Sequence, residues 1–331
     1  MSAAAPALRV LRAPPFATVQ DLGRPGWRHL GVPAGGAMDP WSLQAANLLA
    51  GGTPGAAALE WGVGGGVLHV ERDVTIALAG ADVEAMLGGR AVGAWRTLRA
   101  RTGDRLELGA PRRGRFAYLA VGGGLHVPPV LGSAATYLPA AIGGVEGRRL
   151  RVGDLLPASD APPSLGDVLC PAELRLAIAG WATSPDESPV RVTDGPQADL
   201  LDADGWSRLT GPGLAVSPTG DRTGYRLAGP PIVAAAAGAA LPSEPGCPGA
   251  IQLPPGGEPI VLMADAPTVG GYAKPAVVVL ADLGRLAQHP PGAPVRFTRV
   301  SLDEAQRLYR RRRVAVWTLG EIVKGGRSGA R

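Results

Sequence analysis

The chain has 331 residues, which suggests about two domains or one two-lobed unit, and its 46% hydrophobic content is enough for a sizeable core. Its 49 glycines and 33 prolines punctuate apolar segments and form no tracts, so the composition indicates a turn-rich folded protein and argues against disorder. Many of the arginines behind the net charge of +5 crowd into the last segment without interleaved aromatic residues, and nucleic acid is therefore not a predicted partner.

Short apolar or alternating segments, each ended by Gly, Pro or Asp, predict many strands along the chain. Period-two alternation, as at Leu174, Leu176 and Ile178, is typical of half-buried strands. The predicted strands are Val74–Gly80, Asp104–Ala110, Arg115–Gly123, Glu173–Gly180, Ser188–Gly195, Gly249–Pro255, Glu258–Asp265 and Ala293–Val300. Many short strands with turns between them favour a β-barrel or a sandwich.

Few helices are predicted. One follows Asp39, a typical N-cap residue, with Pro40 at the first helical position and Gly51 as its end. Another begins at Ser301, where Glu304 completes a capping box. The segment "KPAVVVLADLGRLAQ" is either a third helix or a strand that leads into a short helix.

The Pro- and Ser-rich stretch Pro157–Asp167 is the best linker candidate, and it divides the chain nearly in half. We therefore predict an N-terminal lobe over residues 1–160, a C-terminal lobe over 161–300 and a basic helical tail over 301–331.

Several common catalytic motifs are absent from the sequence. It has no GxxxxGK[ST] phosphate loop, no GxGxxG after a strand, no HExxH and no GxSxG elbow. The four histidines lack ligand spacing and the two cysteines form no CxxC, so no metal site is predicted. No apolar run approaches the roughly 20 residues of a membrane span, and the first residues lack a secretory pattern, so a cytoplasmic protein with no membrane contact is expected.

The most specific part of the sequence is "ATVQDLGRPGWRHLGVPAGGAMDPWSLQAANLLAGG", which resembles the start of the carboxyltransferase-domain family, also called allophanate hydrolase subunit two. The family pattern is T-x-Q-D-x-G-R-x-G, then G-V-P, G-A-M-D and a helix with A-N-x-L. It is matched from Thr18 to Gly26, at Gly31–Pro33, at Gly36–Asp39 and at Ala46–Leu48. Further similar blocks follow in family order at Tyr118–Ser133, Gly143–Asp154, Gly220–Ile232 and Gly249–Phe297.

The family includes the subunit-C proteins of bacterial 5-oxoprolinases, the Kip-inhibitor antagonist and part of the biotin-dependent urea carboxylases. The resemblance implies a mainly β fold built on a cyclophilin-like barrel, with two lobes and few helices. It also implies a subunit of an ATP-dependent 5-oxoprolinase-like amidohydrolase, a hydrolase of carbon–nitrogen bonds in cyclic amides that converts 5-oxoproline to glutamate. Two alternatives stay open: a urea- or allophanate-type carboxyltransferase component that uses biotin carried by a partner, and a non-catalytic regulator that binds a Kip-inhibitor-like protein.

Partners and cofactors follow from the same resemblance. The expected partners are a subunit-B-like protein of the allophanate hydrolase subunit one type, a subunit-A-like protein of the LamB/YcsF type and a small amide substrate. The expected cofactor is ATP, bound in the complex. No covalent biotin is expected on this chain, because the sequence has no Met-Lys-Met segment. The chain alone is expected to be inactive.

Candidate site residues come from the glycine-rich segment Asp21–Asp39 and from the loop after the apolar strand near Leu262. Glycines leave backbone N–H groups able to face an anion or a carbonyl oxygen, and an arginine adds a forked donor. Loops at strand ends are where rigid scaffolds hold reactive groups. We predict Asp39, Asp265 and Lys274 as catalytic residues, and as substrate-binding residues Gln20, Arg24, Asn47, Arg222, Tyr225, Thr268 and Tyr272, in a groove between the two halves.

Purely structural interpretations of these residues also stay open. Asp39 is equally suited to capping a helix, and Asn47 to bonding a neighbouring loop. For the loop that contains Asp265 and Lys274, the alternative interpretation is a structural turn whose lysine is solvated.

The sequence also departs from the family pattern. Ala134 and Ala135 stand where the family has Arg and Ser, and Ala266 and Pro267 stand where it has Arg and Gln. If the missing arginines grip an anionic substrate, this chain binds that substrate differently or binds another one.

Overall fold

Strands dominate the chain. A computed structural model describes residues 4–159, 166–181, 188–234 and 241–328, and within these ranges it contains 19 strands and five α-helices. The strands are β1 Pro6–Arg12, β2 Thr18–Gln20, β3 Ala58–Trp61, β4 Gly66–Val70, β5 Val74–Leu87, β6 Arg90–Val92, β7 Thr97–Ala100, β8 Arg105–Val121, β9 Leu155–Pro157, β10 Val190–Asp194, β11 Leu214–Val216, β12 Gly224–Ala228, β13 Glu244–Pro245, β14 Ala250–Leu253, β15 Ile260–Leu262, β16 Val269–Gly270, β17 Ala273–Val278, β18 Pro294–Val295 and β19 Phe297–Arg299. The helices are α1 Pro40–Leu49, α2 Ala172–Ala179, α3 Ala203–Thr210, α4 Leu280–Ala287 and α5 Leu302–Ser328.

Two large sheets contain most of these strands. The first has the order β2-β3-β8-β4-β1-β9, with β5 paired to β6, β7 and β8. The second has the order β18-β11-β12-β15-β14-β17-β10-β19, and β13 and β16 form a separate two-stranded sheet. One large sheet is a curled half-barrel and the other a nearly closed barrel, which confirms the mainly β, barrel-type fold expected from the sequence.

The long strands β5 and β8 show how the first sheet curls. They pair antiparallel from Ile76 opposite Val121 to Leu87 opposite Leu106, with register shifts after Gly80. Gly80 has φ +88, and a Cβ there would lie 2.5 Å from the Phe116 carbonyl oxygen, so only glycine fits this approach. Irregularities of this kind bend a strand and increase its twist, which allows one face of the sheet to enclose a core.

The chain packs as two compact units that interleave along the sequence. The first unit consists of Met1–Arg24, Asp39–Ala179 and Arg313–Arg331, and the second of Pro25–Met38 and Gly180–Arg312. The lobe boundaries at residues 160 and 300 stay a prediction. Residues 160–165 of the predicted linker lie outside the described residues.

Each unit has an apolar core supplied by its strands. In the first unit Leu8, Leu59 and Ile76 are among the fully buried side chains of one cluster. In the second unit Val192 and Val261 are fully buried. Burial of one such side chain contributes roughly 1.5–3 kcal/mol, so these faces account for much of the stability of each unit.

One predicted strand is wrong. Residues 173–179 of the predicted strand Glu173–Gly180 lie in helix α2, which Pro171 precedes, and the alternation of Leu174, Leu176 and Ile178 does not mark a sheet face. Leu176 is 46% exposed and Ile178 is buried, as expected for a short helix with one side packed. The segment "AELRLAIA" consists mostly of strong helix formers, and a short apolar run does not by itself distinguish helix from strand.

The other predicted strands and helices are present, except that Ala293–Val300 contains two short strands, β18 and β19, which pair with different neighbours. The predicted strands at Asp104–Ala110 and Arg115–Gly123 are two parts of the single strand β8. The segment "KPAVVVLADLGRLAQ" contains strand β17 followed by helix α4. Every helix in the described ranges is too short or too polar to cross a membrane.

Candidate functional site

Asp21 anchors the start of the glycine-rich segment in the first unit. One carboxylate oxygen accepts from the Gly23 N–H at 2.7 Å and from the Ser133 hydroxyl at 2.6 Å, and the other accepts from the Ala134 N–H at 2.7 Å. These bonds hold the turn against the loop of residues 133–136. The loop is thereby positioned through backbone and hydroxyl donors, at the two positions, Ala134 and Ala135, where the resemblance leads one to expect Arg and Ser.

Arg24 is fully buried in the first unit. Its Nε donates to the Val130 carbonyl at 3.3 Å, and an Nη donates to the Ala135 carbonyl. Gly143 packs closely against it, because a Cβ at that position would lie 2.9 Å from the guanidinium. The observed acceptors are backbone carbonyls, which favours a structural role. The predicted contact between Arg24 and substrate stays a prediction.

Asp39 caps helix α1. One carboxylate oxygen accepts from the N–H groups of Trp41 and Ser42, both at 3.2 Å, and the other accepts from the Ser42 hydroxyl at 2.6 Å. Capping, one of the two roles considered from sequence, is therefore present in the structure. The predicted catalytic role of Asp39 stays a prediction.

A buried tyrosine links Asp39 to Glu60. The Tyr118 hydroxyl accepts from the Asp39 N–H at 2.7 Å and donates to a Glu60 carboxylate oxygen at 2.8 Å. Burial, and then the negative charges of Glu60 and Asp39, raise the pKa of Tyr118 well above its usual value. The hydroxyl therefore stays protonated and continues to donate to Glu60. Sequence reasoning missed this link from Asp39 through Tyr118 to Glu60, although Tyr118 begins one of the blocks that resemble the family.

Gln20 and Asn47 are two fully buried amides of the first unit. Gln20 donates to the Thr18 hydroxyl at 3.0 Å and to the Thr136 carbonyl at 3.2 Å, and Asn47 donates to the carbonyls of Pro54 and Ala56 at 3.1 and 2.6 Å. Among the described residues neither amide oxygen has a hydrogen-bond donor. Because a buried acceptor without a donor costs free energy, both oxygens remain candidates for a contact with substrate.

Arg222 and Asp265 form an ion pair in the second unit. The two guanidinium–carboxylate distances are 2.9 and 3.0 Å, so the contact is bidentate. Arg222 also donates to the Gly36 carbonyl at 2.6 Å, and Gly36 has φ +92, a conformation that favours glycine. The predicted catalytic carboxylate of Asp265 is thus paired with Arg222, which also donates a hydrogen bond to the glycine-rich segment.

Arg28 provides a second attachment for the glycine-rich segment. It donates to the carbonyls of Gly246 and Pro267 at 2.6 and 2.8 Å. Nearby, the Gly35 N–H donates to the Ala264 carbonyl at 3.1 Å. Ala266, whose carbonyl accepts from Arg28 at 3.4 Å, and Pro267 therefore contribute backbone acceptors at the two positions where the resemblance leads one to expect Arg and Gln. Arg28 was not predicted from sequence, because nothing in its local pattern distinguishes it from a surface arginine.

Lys274 is only 3% exposed and lies at the centre of a polar network. Its Nζ is 2.8 Å from a Glu244 carboxylate oxygen and donates to the Tyr272 carbonyl at 3.2 Å. Gln197 accepts from the Lys274 backbone N–H at 2.9 Å and donates to the same Glu244 oxygen at 2.6 Å. Hydrogen bonds from Lys274 and then from Gln197 lower the pKa of Glu244. The interpretation of Lys274 as a solvated surface lysine is therefore wrong.

Strand pairing brings Glu244 to Lys274. Glu244 on β13 lies opposite Gly270 on β16, a few residues before the lysine. A Cβ at Gly270 would lie 2.6 Å from the Gln252 side-chain nitrogen, so a larger residue here would require the Gln252 side chain to move. Sequence reasoning missed Gln197 and Glu244, because they precede Lys274 by 77 and 30 residues and only the folded sheet places them beside it.

The remaining predicted residues of the second unit differ in accessibility. Tyr225 is fully buried and donates to the Ala287 carbonyl at 2.8 Å, which favours a role in the core. Thr268 is half-buried, and its carbonyl accepts from the Gly246 N–H at 3.0 Å. Tyr272 is 45% exposed beside Lys274. Of these three, Tyr272 is the most accessible to a ligand.

The ten predicted residues fall into two sets. Gln20, Arg24, Asp39 and Asn47 belong to the first unit and the other six to the second. In the second unit the loop from Asp265 to Lys274 combines a paired carboxylate with a nearly buried ammonium. The Lys274 ammonium is suited to donate a hydrogen bond to an oxygen on which negative charge develops. Within the described ranges, no three His, Cys, Asp or Glu side chains are placed to hold a metal ion.

Comparisons with known proteins agree with this architecture. The sequence profile of the family described as "Carboxyltransferase domain, subdomain A and B" matches residues 30–299. The chain is 39% identical to the 5-oxoprolinase subunit-C protein of Escherichia coli strain K12 over 298 residues, which are 90% of this chain and 93% of that protein. It is 31% identical to the urea amidolyase of Lachancea kluyveri over 92% of this chain and 17% of that protein.

A solved structure extends the similarity to the fold. The crystal structure of the K. lactis urea amidolyase matches with a TM-score of 0.88 and 27% identity, and the match covers 96% of this chain and 20% of that chain. The chain therefore spans a small part of the urea amidolyases and nearly all of the 5-oxoprolinase subunit-C protein.

Proposed function

Because the chain belongs to the carboxyltransferase domain family, we propose that it is one subunit of an ATP-dependent 5-oxoprolinase that opens 5-oxoproline to glutamate. The observation that carries the proposal is the nearly end-to-end similarity to a 5-oxoprolinase subunit-C protein. The proposed partners are a subunit-B-like protein and a subunit-A-like protein of the LamB/YcsF type.

Ring opening of a lactam requires stabilisation of negative charge on the amide oxygen as water attacks the carbonyl carbon. In our proposal Lys274 donates to that oxygen, while Glu244 and Gln197 hold the lysine in place. The Lys274 ammonium has three N–H donors, and its side chain has two acceptors in the described structure, Glu244 and the Tyr272 carbonyl. The third donor is the one we assign to substrate.

ATP, when bound in the complex, supplies phosphoryl activation of the amide. The sequence contains no GxxxxGK[ST] loop to hold its phosphates. We therefore assign no ATP-dependent step to residues of this chain and place the nucleotide on a partner subunit.

Reconstitution tests the proposed activity. The purified chain is combined with the subunit-B-like and subunit-A-like proteins, and glutamate formation from 5-oxoproline is followed with and without ATP. We expect turnover from the three-component mixture with ATP, and none from the chain alone. Turnover that is unchanged when this chain is left out would contradict the proposal.

A carboxyltransferase component is the second candidate function, favoured by the match of 96% of the chain to a urea amidolyase structure. Carboxyl transfer from biotin on a partner to an amide or urea nitrogen uses the same kind of oxyanion donor. The test supplies a carboxylated biotin carrier and urea. Loss of carboxyl from the carrier that depends on urea and on this chain would favour this second function.

A further inference from the structure

A groove lies beside the first turns of α5 in the second unit. It has a volume of about 320 Å³, and its lining includes Val277, Val279, Leu280, Leu302, Tyr309 and Arg310. Leu280 and Leu302 are 58% and 65% exposed, and Tyr309 is 36% exposed. Large apolar side chains that converge on one concave surface are typical of a binding surface, unlike scattered single ones.

The charged side chain in the lining of the groove is Arg310, which is positive. Arg310 makes no hydrogen bond or ion pair with any described residue, whereas its neighbour on the helix, Arg307, pairs with Glu304 at 2.7 Å. The acidic residues of this end of α5, Asp303 and Glu304, are not in the groove lining. A segment bound in the groove therefore contacts apolar side chains and the Arg310 guanidinium, which has no carboxylate partner among the described residues.

We propose that this groove binds an apolar segment of the subunit-B-like partner that also carries a carboxylate, with the carboxylate on Arg310. The inference rests on the proposed function, which supplies the partner. Insertion of an amphipathic segment into an apolar groove is a recurring recognition mode. A second copy of this chain is a poorer occupant, because the chain carries a net charge of +5 and α5 is rich in arginine.

The groove lies at the edge of the region that the family profile matches. The family profile matches residues 30–299, and α5 begins at Leu302. One wall of the groove therefore lies outside the matched part of the chain.

Two substitutions test the groove in the full-length chain. Leu302→Gln removes an exposed apolar contact, and Arg310→Glu reverses the charge. Arg226→Glu on β12 is the matched control. Arg226 is also exposed, and this substitution reverses the same charge outside the groove. Affinity for the purified subunit-B-like protein is measured by calorimetry at two salt concentrations, and the unfolding temperature of each variant is recorded.

We expect Leu302→Gln and Arg310→Glu each to weaken binding by about ten-fold or more, and Arg310→Glu to reduce its salt dependence as well. Arg226→Glu is expected to stay within about three-fold of wild type. All three unfolding temperatures should match the wild type, because the substituted side chains are exposed.

Three results would overturn the proposal: wild-type affinity in the Leu302→Gln/Arg310→Glu double variant, equal weakening by the Arg226→Glu control, or self-association of the chain that these substitutions abolish. Failure of the wild-type chain to bind the partner would overturn it too. A wild-type complex that forms, but gives no turnover of 5-oxoproline when the subunit-A-like protein and ATP are also present, would contradict the proposed function alone, so the two failures are distinguishable.

Discussion

Lys274 owes its position to two residues that are distant in sequence. A buried ammonium is costly without an anion beside it, and Glu244 provides that anion at 2.8 Å. Gln197 bonds both the Lys274 backbone and the Glu244 carboxylate, which limits the movement of the pair. The charge is therefore held at one place before any substrate arrives, as electrostatic stabilisation of a transition state requires.

Lys274→Met is expected to lower turnover by the reconstituted complex by about ten-fold or more, because it removes a charge-assisted hydrogen bond in the transition state. The chain has one other lysine, Lys324, which is exposed on α5 and pairs with Glu321. Lys324→Met is therefore the matched control and should leave turnover unchanged. Lys274→Arg tests whether a positive charge alone suffices. Normal turnover in a folded Lys274→Met variant would remove Lys274 from the mechanism.

Arg24 is predicted to act mainly on stability. Arg24→Ala removes the donor to the Val130 and Ala135 carbonyls and leaves a cavity, so we expect the free energy of unfolding to fall by about 2–4 kcal/mol. Urea denaturation measures this, with exposed Arg226→Ala as the control. An Arg24→Ala variant of wild-type stability that has lost activity would instead favour the contact with substrate predicted from sequence.

Helix α4 is stabilised at its first turn by a single buried carboxylate. Asp282 is fully buried and contacts Arg191 at 2.6 Å, Arg285 at 2.9 Å and Arg312 at 3.6 Å. Burial alone would raise the pKa of Asp282, but the hydrogen bonds from Arg191 and the charges of Arg285 and Arg191 outweigh it, so the pKa is lowered overall. One anion thus links β10, α4 and the first part of α5.

Asp282→Asn is expected to destabilise the protein by about 3–5 kcal/mol, since it leaves clustered guanidinium groups without their anion. The folded pKa of Asp282 lies below its unfolded value of about 3.9, so its contribution is fully present above that pH. The contribution is lost as the pH falls through the lower, folded value. Denaturation curves from pH 7 to pH 2 measure both effects. Asp303→Asn, at an exposed position on α5, is the control, and equal stability of the two variants would contradict the expectation.

At the scale of the whole molecule, the chain has two units whose segments interleave, because Pro25–Met38 joins the second unit while the residues on either side belong to the first. The chain therefore passes from one unit to the other several times. The glycine-rich segment contains two of these passages, at Arg24–Pro25 and at Met38–Asp39. Its glycines supply the backbone freedom that such a path requires.

The chain is expected to form a stable complex with the subunit-B-like protein, with at least the ~1,200 Å² of buried surface that is typical of a specific interface. Co-expression followed by size-exclusion chromatography should give one peak that contains both proteins. Because a partner that binds only the folded chain stabilises it, the unfolding temperature should rise on mixing. Two separate peaks at micromolar concentration, with no mutual stabilisation on heating, would contradict this expectation.

The sequence by itself determined seven of the eight predicted strand segments, the α1 cap at Asp39, the start of α5 directly after Ser301 and the family, because these depend on local spacing and on ordered blocks. It did not determine α2, where a short apolar run suits either a helix or a strand. Only the tertiary structure paired Arg222 with Asp265, surrounded Lys274 with Gln197 and Glu244, and placed Arg24 and Tyr225 in the interior. Burial and ion pairing depend on residues far apart in the chain, and local patterns contain no information about such distances.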